Sequence, residues 1–117
     1  MEGHLEAVSV ELEGKPAAEE AIEVLGAFRG RVADLALPSA PRRPIVVRRE
    51  PDRPQPRLDR DAGGGMTVVV GRVRSCSALG LKLVLLSHNT VRGAAGGTLL
   101  NAELLAAKNL LRRRTAS

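Results

Sequence analysis

At 117 residues the chain is about one ordinary domain, and its 44% apolar content is almost wholly aliphatic, with one Phe and no Trp or Tyr. The core must therefore rest on Ala, Val, Leu and Ile and is expected to need a partner for completion. One cysteine, Cys76, excludes an internal disulfide, and the two histidines make a structural zinc site unexpected, so a reducing cytoplasm fits.

Residues 4–13 alternate, with Val8, Val10 and Leu12 on one face and Ser9 and Glu11 on the other, as a half-buried strand requires. The polar start, Met1-Glu2-Gly3-His4, lacks the apolar core of a signal peptide. Lys15-Pro16 opens a helix over about 16–29, with Pro16 in its first turn, Glu19 and Glu20 near its positive end, and Ala18, Ile22, Leu25 and Phe28 along one side. Gly30 ends it. Pro38, Pro41 and Pro44 mark an extended connector over 35–44 that leads into a short strand at about 44–49.

Residues 49–65 hold three more prolines and end in three consecutive glycines. From Arg48 to Asp61 five arginines alternate with four acids, Glu50, Asp52, Asp59 and Asp61. The net charge of +5 is uneven: eight acidic and three basic side chains up to residue 34, then five and fifteen. A basic nucleic-acid surface is one reading of that asymmetry. The mixed signs of the densest stretch and the lack of aromatics to stack on bases argue against it. The stretch reads as an ion-pair network at an interface, carried on an arm that becomes ordered on a partner.

Residues 66–74 alternate Thr67, Val69 and Gly71 against Met66, Val68 and Val70, a strand pattern. Ser75 to Gly80 is a turn carrying Cys76, and the aliphatic run 81–87 suits a strand covered on both faces. A helix follows over about 90–112, apolar on nearly every side between Ala94 and Ala107, so it is expected to lie between two layers. Arg112-Arg113-Arg114 suits its negative end. Arg92, Glu103 and Lys108 interrupt the longest apolar stretch, so no membrane span is expected.

Four features can carry chemistry. His4, beside Glu6 at a strand's mouth, offers an imidazole suited to proton transfer, although a terminal histidine alone is more often just exposed. At the junction Ser87-His88-Asn89-Thr90, Asn89 and Thr90 can cap the helix and leave backbone N–H groups facing a ligand. His88 reads as a hydrogen-bonded polar residue of that junction. Gly93, Gly96 and Gly97 each cost about 1 kcal/mol inside a helix, so another element or a cofactor must come close. Cys76, with Arg74 as its nearby charged neighbour, reads as an incidental thiol.

Five segments in order resemble the C-terminal domain of aspartate-semialdehyde dehydrogenases of archaeal and fungal type. They are Gly3-His4-Leu5-Glu6-Ala7-Val8, Leu37-Pro38-Ser39-Ala40-Pro41, residues 51–61, Val70-Gly71-Arg72-Val73-Arg74, and residues 88–96. The resemblance implies an α+β fold with a mixed or antiparallel sheet and packed helices, like the C-terminal domain of the glyceraldehyde-3-phosphate dehydrogenase-like fold. It implies an NADP-dependent enzyme interconverting aspartyl phosphate and aspartate semialdehyde, on the route to lysine, methionine and threonine. His4 matches the family's acid/base histidine, and Asn89 matches the residue near the nicotinamide.

No glycine-rich phosphate loop follows a strand here, and Cys76 does not match the family's nucleophile, so the nucleotide-binding half is expected to be absent and the chain alone inactive. Residues 1–89 are then the catalytic and dimerisation core, 90–112 the helix that packs on the nucleotide-binding domain, and 113–117 a tail. The implied assembly is a homodimer or tetramer, acting on aspartate semialdehyde and phosphate, with no nucleic acid or membrane as partner. A non-catalytic self-association module is the alternative.

Overall fold

A computed structural model of the chain describes residues 2–111. The expected helix end at Arg112, the arginine triplet and the tail at 113–117 lie outside them. Four strands form one mixed sheet in the order β1-β4-β3-β2: β1 (His4–Val10), β2 (Ile45–Arg48), β3 (Val68–Cys76) and β4 (Gly80–Ser87). The pairs β1/β4 and β3/β4 are antiparallel and β2/β3 is parallel. The architecture is thus α+β with a mixed sheet.

The core sits where the β-branched and leucine runs cross. Val69, Val70, Leu81, Val84 and Leu86 are buried, because β3 and β4 are the inner strands and each has a covered face on both sides. β1 is an edge strand with His4, Leu5, Glu6 and Ala7 exposed, and only Val8 and Val10 half-buried. It stops at Val10, so Leu12 lies beyond it. β3 starts two residues later than the alternation suggests, and Met66 and Thr67, though buried, precede it. Its far end runs through Cys76, which is the last strand residue and not part of the turn.

Helix α1 (Ala18–Ala27) starts after Pro16, because Lys15 takes a φ of +43° and Ala17 is still extended. It packs over β2 and β3 on the face that carries Ile22 and Leu25, while Phe28 is half exposed just beyond its end. The connector contributes a short 3₁₀ turn (Ala33–Leu35) and buries Leu37.

The arm does not wait for a partner; it lies on its own sheet. A single-turn helix α2 (Pro56–Asp59) and a 3₁₀ turn (Ala62–Gly65) bring it across the face that carries Gly71 and Leu86. A Cβ at Gly71 would run into the Arg53 carbonyl and lie 2.9 Å from Pro54 Cδ, so at this glycine the arm's backbone comes directly against the sheet. The last helix also departs from expectation. It begins as a π-turn (Val91–Ala95), continues as α3 (Gly96–Ala107), and has no buried residue, with Leu99 and Leu105 exposed. One side clasps the connector where Glu103 bonds Ser39, with Leu100 and Leu104 lining a cleft shared with Leu37 and Ala40; among the described residues no second layer covers the other. The Cα radius of gyration of 16.8 Å exceeds the ~13 Å of a compact chain this long, as one-sided helices imply.

Candidate functional site

The antiparallel register pairs His4 with Ser87, which brings the entry of β1 beside the exit of β4. There the Gly3 N–H donates to Asn89 Oδ1 at 2.9 Å, a bond between residues 86 apart in sequence. A backbone N–H demands an oxygen, so this contact fixes the amide: the Asn89 carbonyl is occupied and its exposed NH₂ is left to donate. The two residues singled out by sequence therefore share one end of the sheet. The His4 side chain is 65% exposed, and its Nε2 lies 3.2 Å from Glu6 Oε1, because residues two apart on a strand share a face. In water such a pair contributes little to stability; its effect is to orient the ring.

The junction after β4 is capped differently from expectation. Neither Asn89 nor Thr90 bonds a helix N–H with its side chain. His88 does so, its Nδ1 accepting the Val91 N–H at 3.3 Å, because Asn89 is drawn away to Gly3. His88 is buried, with Nε2 3.8 Å from Asp61 Oδ1. The helix glycines mostly face protein. A Cβ at Gly96 would strike Met66 Sδ, and one at Gly97 would strike the Arg92 carbonyl, which the wider π-turn places there. Gly93 meets nothing closer than the His88 carbonyl at 3.8 Å, so its side of the turn is open.

Cys76 pairs with Gly80 at the opposite end of β4 from Ser87. Seven steps along β4, from Gly80 to Ser87, at ~3.3 Å each separate it from His4 by roughly 23 Å, so the two cannot act on one atom. The Leu79 and Ala78 amides hold its thiol below the ordinary range, with Lys82 and Arg74 adding to this. The arm's charges form a network within the chain. Asp59, 1% exposed, accepts from Arg53 Nε at 2.7 Å, from Arg53 Nη2 and from the Gln55 N–H at 2.8 Å, while Arg48 Nε stands 3.3 Å away as an ion pair without a hydrogen bond. The Arg53 guanidinium, then the Gln55 amide and the charge of Arg48, keep its carboxyl below the usual range despite burial.

Sequence reasoning missed the capping role of His88, and found Glu6 only as a neighbour of His4. The spacing of two along a strand was the available signal for the second; nothing local signals the first. For a dinucleotide, the donor that fits is the free Asn89 NH₂, which suits a carbonyl oxygen such as a carboxamide's. Among the described residues no helix is long and apolar enough to cross a membrane.

Fold and site together define an open sheet domain, with an imidazole and a carboxamide at one end and bare aliphatic surface on its helices. The chain belongs to the semialdehyde dehydrogenase dimerisation-domain family, which it matches over residues 1–92. It is 50% identical over 111 residues to the aspartate-semialdehyde dehydrogenase of Archaeoglobus fulgidus, covering 95% of this chain and 31% of that protein. It is 43% identical to a malonyl CoA reductase (NADP) of Metallosphaera sedula, covering 96% of this chain and 32% of that one. The crystal structure of aspartate semialdehyde dehydrogenase with NADP from Candida albicans superposes with a TM-score of 0.85 at 44% identity, over 95% of this chain and 32% of that chain. The chain thus spans about a third of the relatives it matches.

Proposed function

We propose that this chain is the acid/base and subunit-contact domain of an NADP-dependent aspartate-semialdehyde dehydrogenase, which converts aspartyl phosphate to aspartate semialdehyde for lysine, methionine and threonine synthesis in the cytoplasm. The observation that carries the reading is the Gly3–Asn89 bond, which holds the two family-matching residues, His4 and Asn89, at one open end of the sheet. NADP, when bound, supplies the hydride acceptor or donor. His4 receives the proton of an attacking thiol and returns it; with Nε2 turned to Glu6, Nδ1 is the nitrogen left for that proton. Asn89 donates through its free NH₂ to the nicotinamide carboxamide. Residues 1–89 are the catalytic and dimerisation core, 90–112 pack on the nucleotide-binding domain, 113–117 are a tail, and the assembly is a homodimer or tetramer. On this reading the chain alone does not catalyse the reaction, because the thiol nucleophile and the phosphate loop come from other protein.

The test is a chimera in which this chain replaces the matching third of the Archaeoglobus fulgidus enzyme. It is expected to reduce NADP with aspartate semialdehyde in the presence of phosphate, and His4→Asn is expected to lower kcat by about 10²–10⁴-fold with little change in KM. Run in the reductive direction with NADPH, malonyl-CoA serves as the substrate competing with aspartyl phosphate, since a malonyl CoA reductase is among the relatives. Preference for it would overturn the substrate assignment.

A second reading, a non-catalytic self-association module, is favoured by the dimerisation-domain match and by the exposure of Val24, Phe28, Leu99 and Leu105. An assembled but inactive chimera, together with concentration-dependent dimers of the chain by sedimentation, would support it over the first.

A further inference from the structure

We infer that His88 is a positioning residue of the open end: its ring sets where Asn89 stands, and through Asn89 the Gly3–His4 segment. The inference rests on the reading of His4 and Asn89 above and adds a residue to it.

Three observations meet on this side chain. The side chain is 10% exposed and its ring lies against Gly65, whose φ of +81° and missing Cβ make its room. A Cβ at Gly65 would stand 3.1 Å from both His88 Cδ2 and Val91 Cβ. The ring's Nδ1 accepts the Val91 N–H at 3.3 Å and lies 3.3 Å from the Thr90 hydroxyl. The His88 carbonyl accepts the Gly93 N–H at 3.0 Å, which starts the π-turn. The ring bond and the carbonyl bond close over Asn89 and Thr90 from both sides, so this exposed dipeptide has one path out of the strand. Asn89 then reaches Gly3 without having to serve as the cap, the task its residue type would otherwise take.

The hydrogen bond selects the ring's tautomer. A nitrogen that accepts an N–H carries no proton of its own, so the neutral ring holds its proton on Nε2, on the side of Asp61.

The experiment uses the 117-residue chain, whose two histidines are easily told apart by NMR. Long-range ¹⁵N spectra are expected to show His88 with its proton on Nε2 and Nδ1 as an acceptor. His88→Phe fills the space against Gly65 but has no acceptor; it is expected to speed exchange of the Val91 amide about fivefold and to remove the contact between the Gly3 amide and the Asn89 side chain. His88→Asn, with a shorter capping acceptor, is expected to keep Val91 exchange within about twofold of the parent. A ring proton on Nδ1, or an unchanged Gly3–Asn89 contact in His88→Phe, overturns the inference. If His88→Phe does not fold, the ring's protonation in the parent and the exchange rate in His88→Asn decide it. An inactive chimera leaves these measurements untouched, so failure of the functional reading and failure of this inference are told apart.

Discussion

Asp59 in the arm is almost fully buried and gathers two guanidiniums and a backbone amide, whereas Glu103 in α3 holds one serine while Leu99 and Leu105 beside it stand in solvent. Both segments looked from their composition as though other protein must order them. The arm satisfies itself: its carboxylate has cations from β2 and from the arm, and its backbone settles on Gly71. α3 does not, because a helix that is apolar on all sides has nothing to distinguish a buried face, and the connector can cover only one. An ion-pair network can close on itself; a leucine surface needs area from elsewhere.

The sharpest way to break this contrast is at Asp59. Asp59→Ala leaves Arg53 and Arg48 facing each other without their shared anion and is expected to destabilise the chain by about 3 kcal/mol, seen as a lowered midpoint in urea. The figure sits at the low end for a buried pair because Arg48 remains about one-third exposed. Acid should do the same reversibly. The folded-state carboxyl lies below its ordinary value, so its contribution is fully present above about pH 4 and is lost as pH falls through the lowered value. A urea midpoint that stays flat from pH 5 to pH 2.5 would show that the network does not hold the arm.

That result also bears on what a sequence can tell. Strands β2, β3 and β4 were legible because Val, Ile and Leu runs at Ile45–Val47, Val68–Val70 and Leu81–Leu86 have few other options, and the sheet came out mixed as one of two readings. The arm's charge pattern was legible too, but not its destination, since Arg and Asp in alternation pair equally well within a chain or between chains. Helix α1 began late because Lys15 took the left-handed turn that Gly14 was better suited to take alone. The cap at His88 was hidden by propensity: Asn89 and Thr90 are the better capping types, and only the contact with Gly3 takes Asn89 away. His4 and Asn89 were singled out by a strand mouth, a polar junction and a family pattern; that they share one end of the sheet depended on the register of β1 and β4.

A smaller effect is expected at the seam between arm and sheet. Gly71→Ala places a methyl group against the Arg53 carbonyl and Pro54 ring, both backbone-anchored, and should cost about 2 kcal/mol. Hydrogen exchange should then rise over residues 50–60 but not over α3. If exchange rises equally in both, the two segments unfold as one unit and the contrast drawn between them is wrong.

The smallest effect belongs to α3, and it tests the other side of the comparison. The Ser39 hydroxyl and N–H both bond the Glu103 carboxylate, at 2.7 and 2.9 Å, and this is the polar clasp between the helix and the connector. Ser39→Ala removes one of the two bonds and should cost about 1 kcal/mol, loosening α3 while leaving the arm's exchange rates as they were. Leu99→Lys should cost less still in the chain alone, under about 0.5 kcal/mol, because the leucine is 55% exposed. Put into the chimera, the same Leu99→Lys should weaken association of the domain with the rest of the enzyme, because a lysine on a helix face that packs against protein must be desolvated. Equal tolerance of Leu99→Lys in chain and chimera would mean that α3 stays bare in the assembly, and that its leucines serve neither a nucleotide-binding domain nor a second subunit.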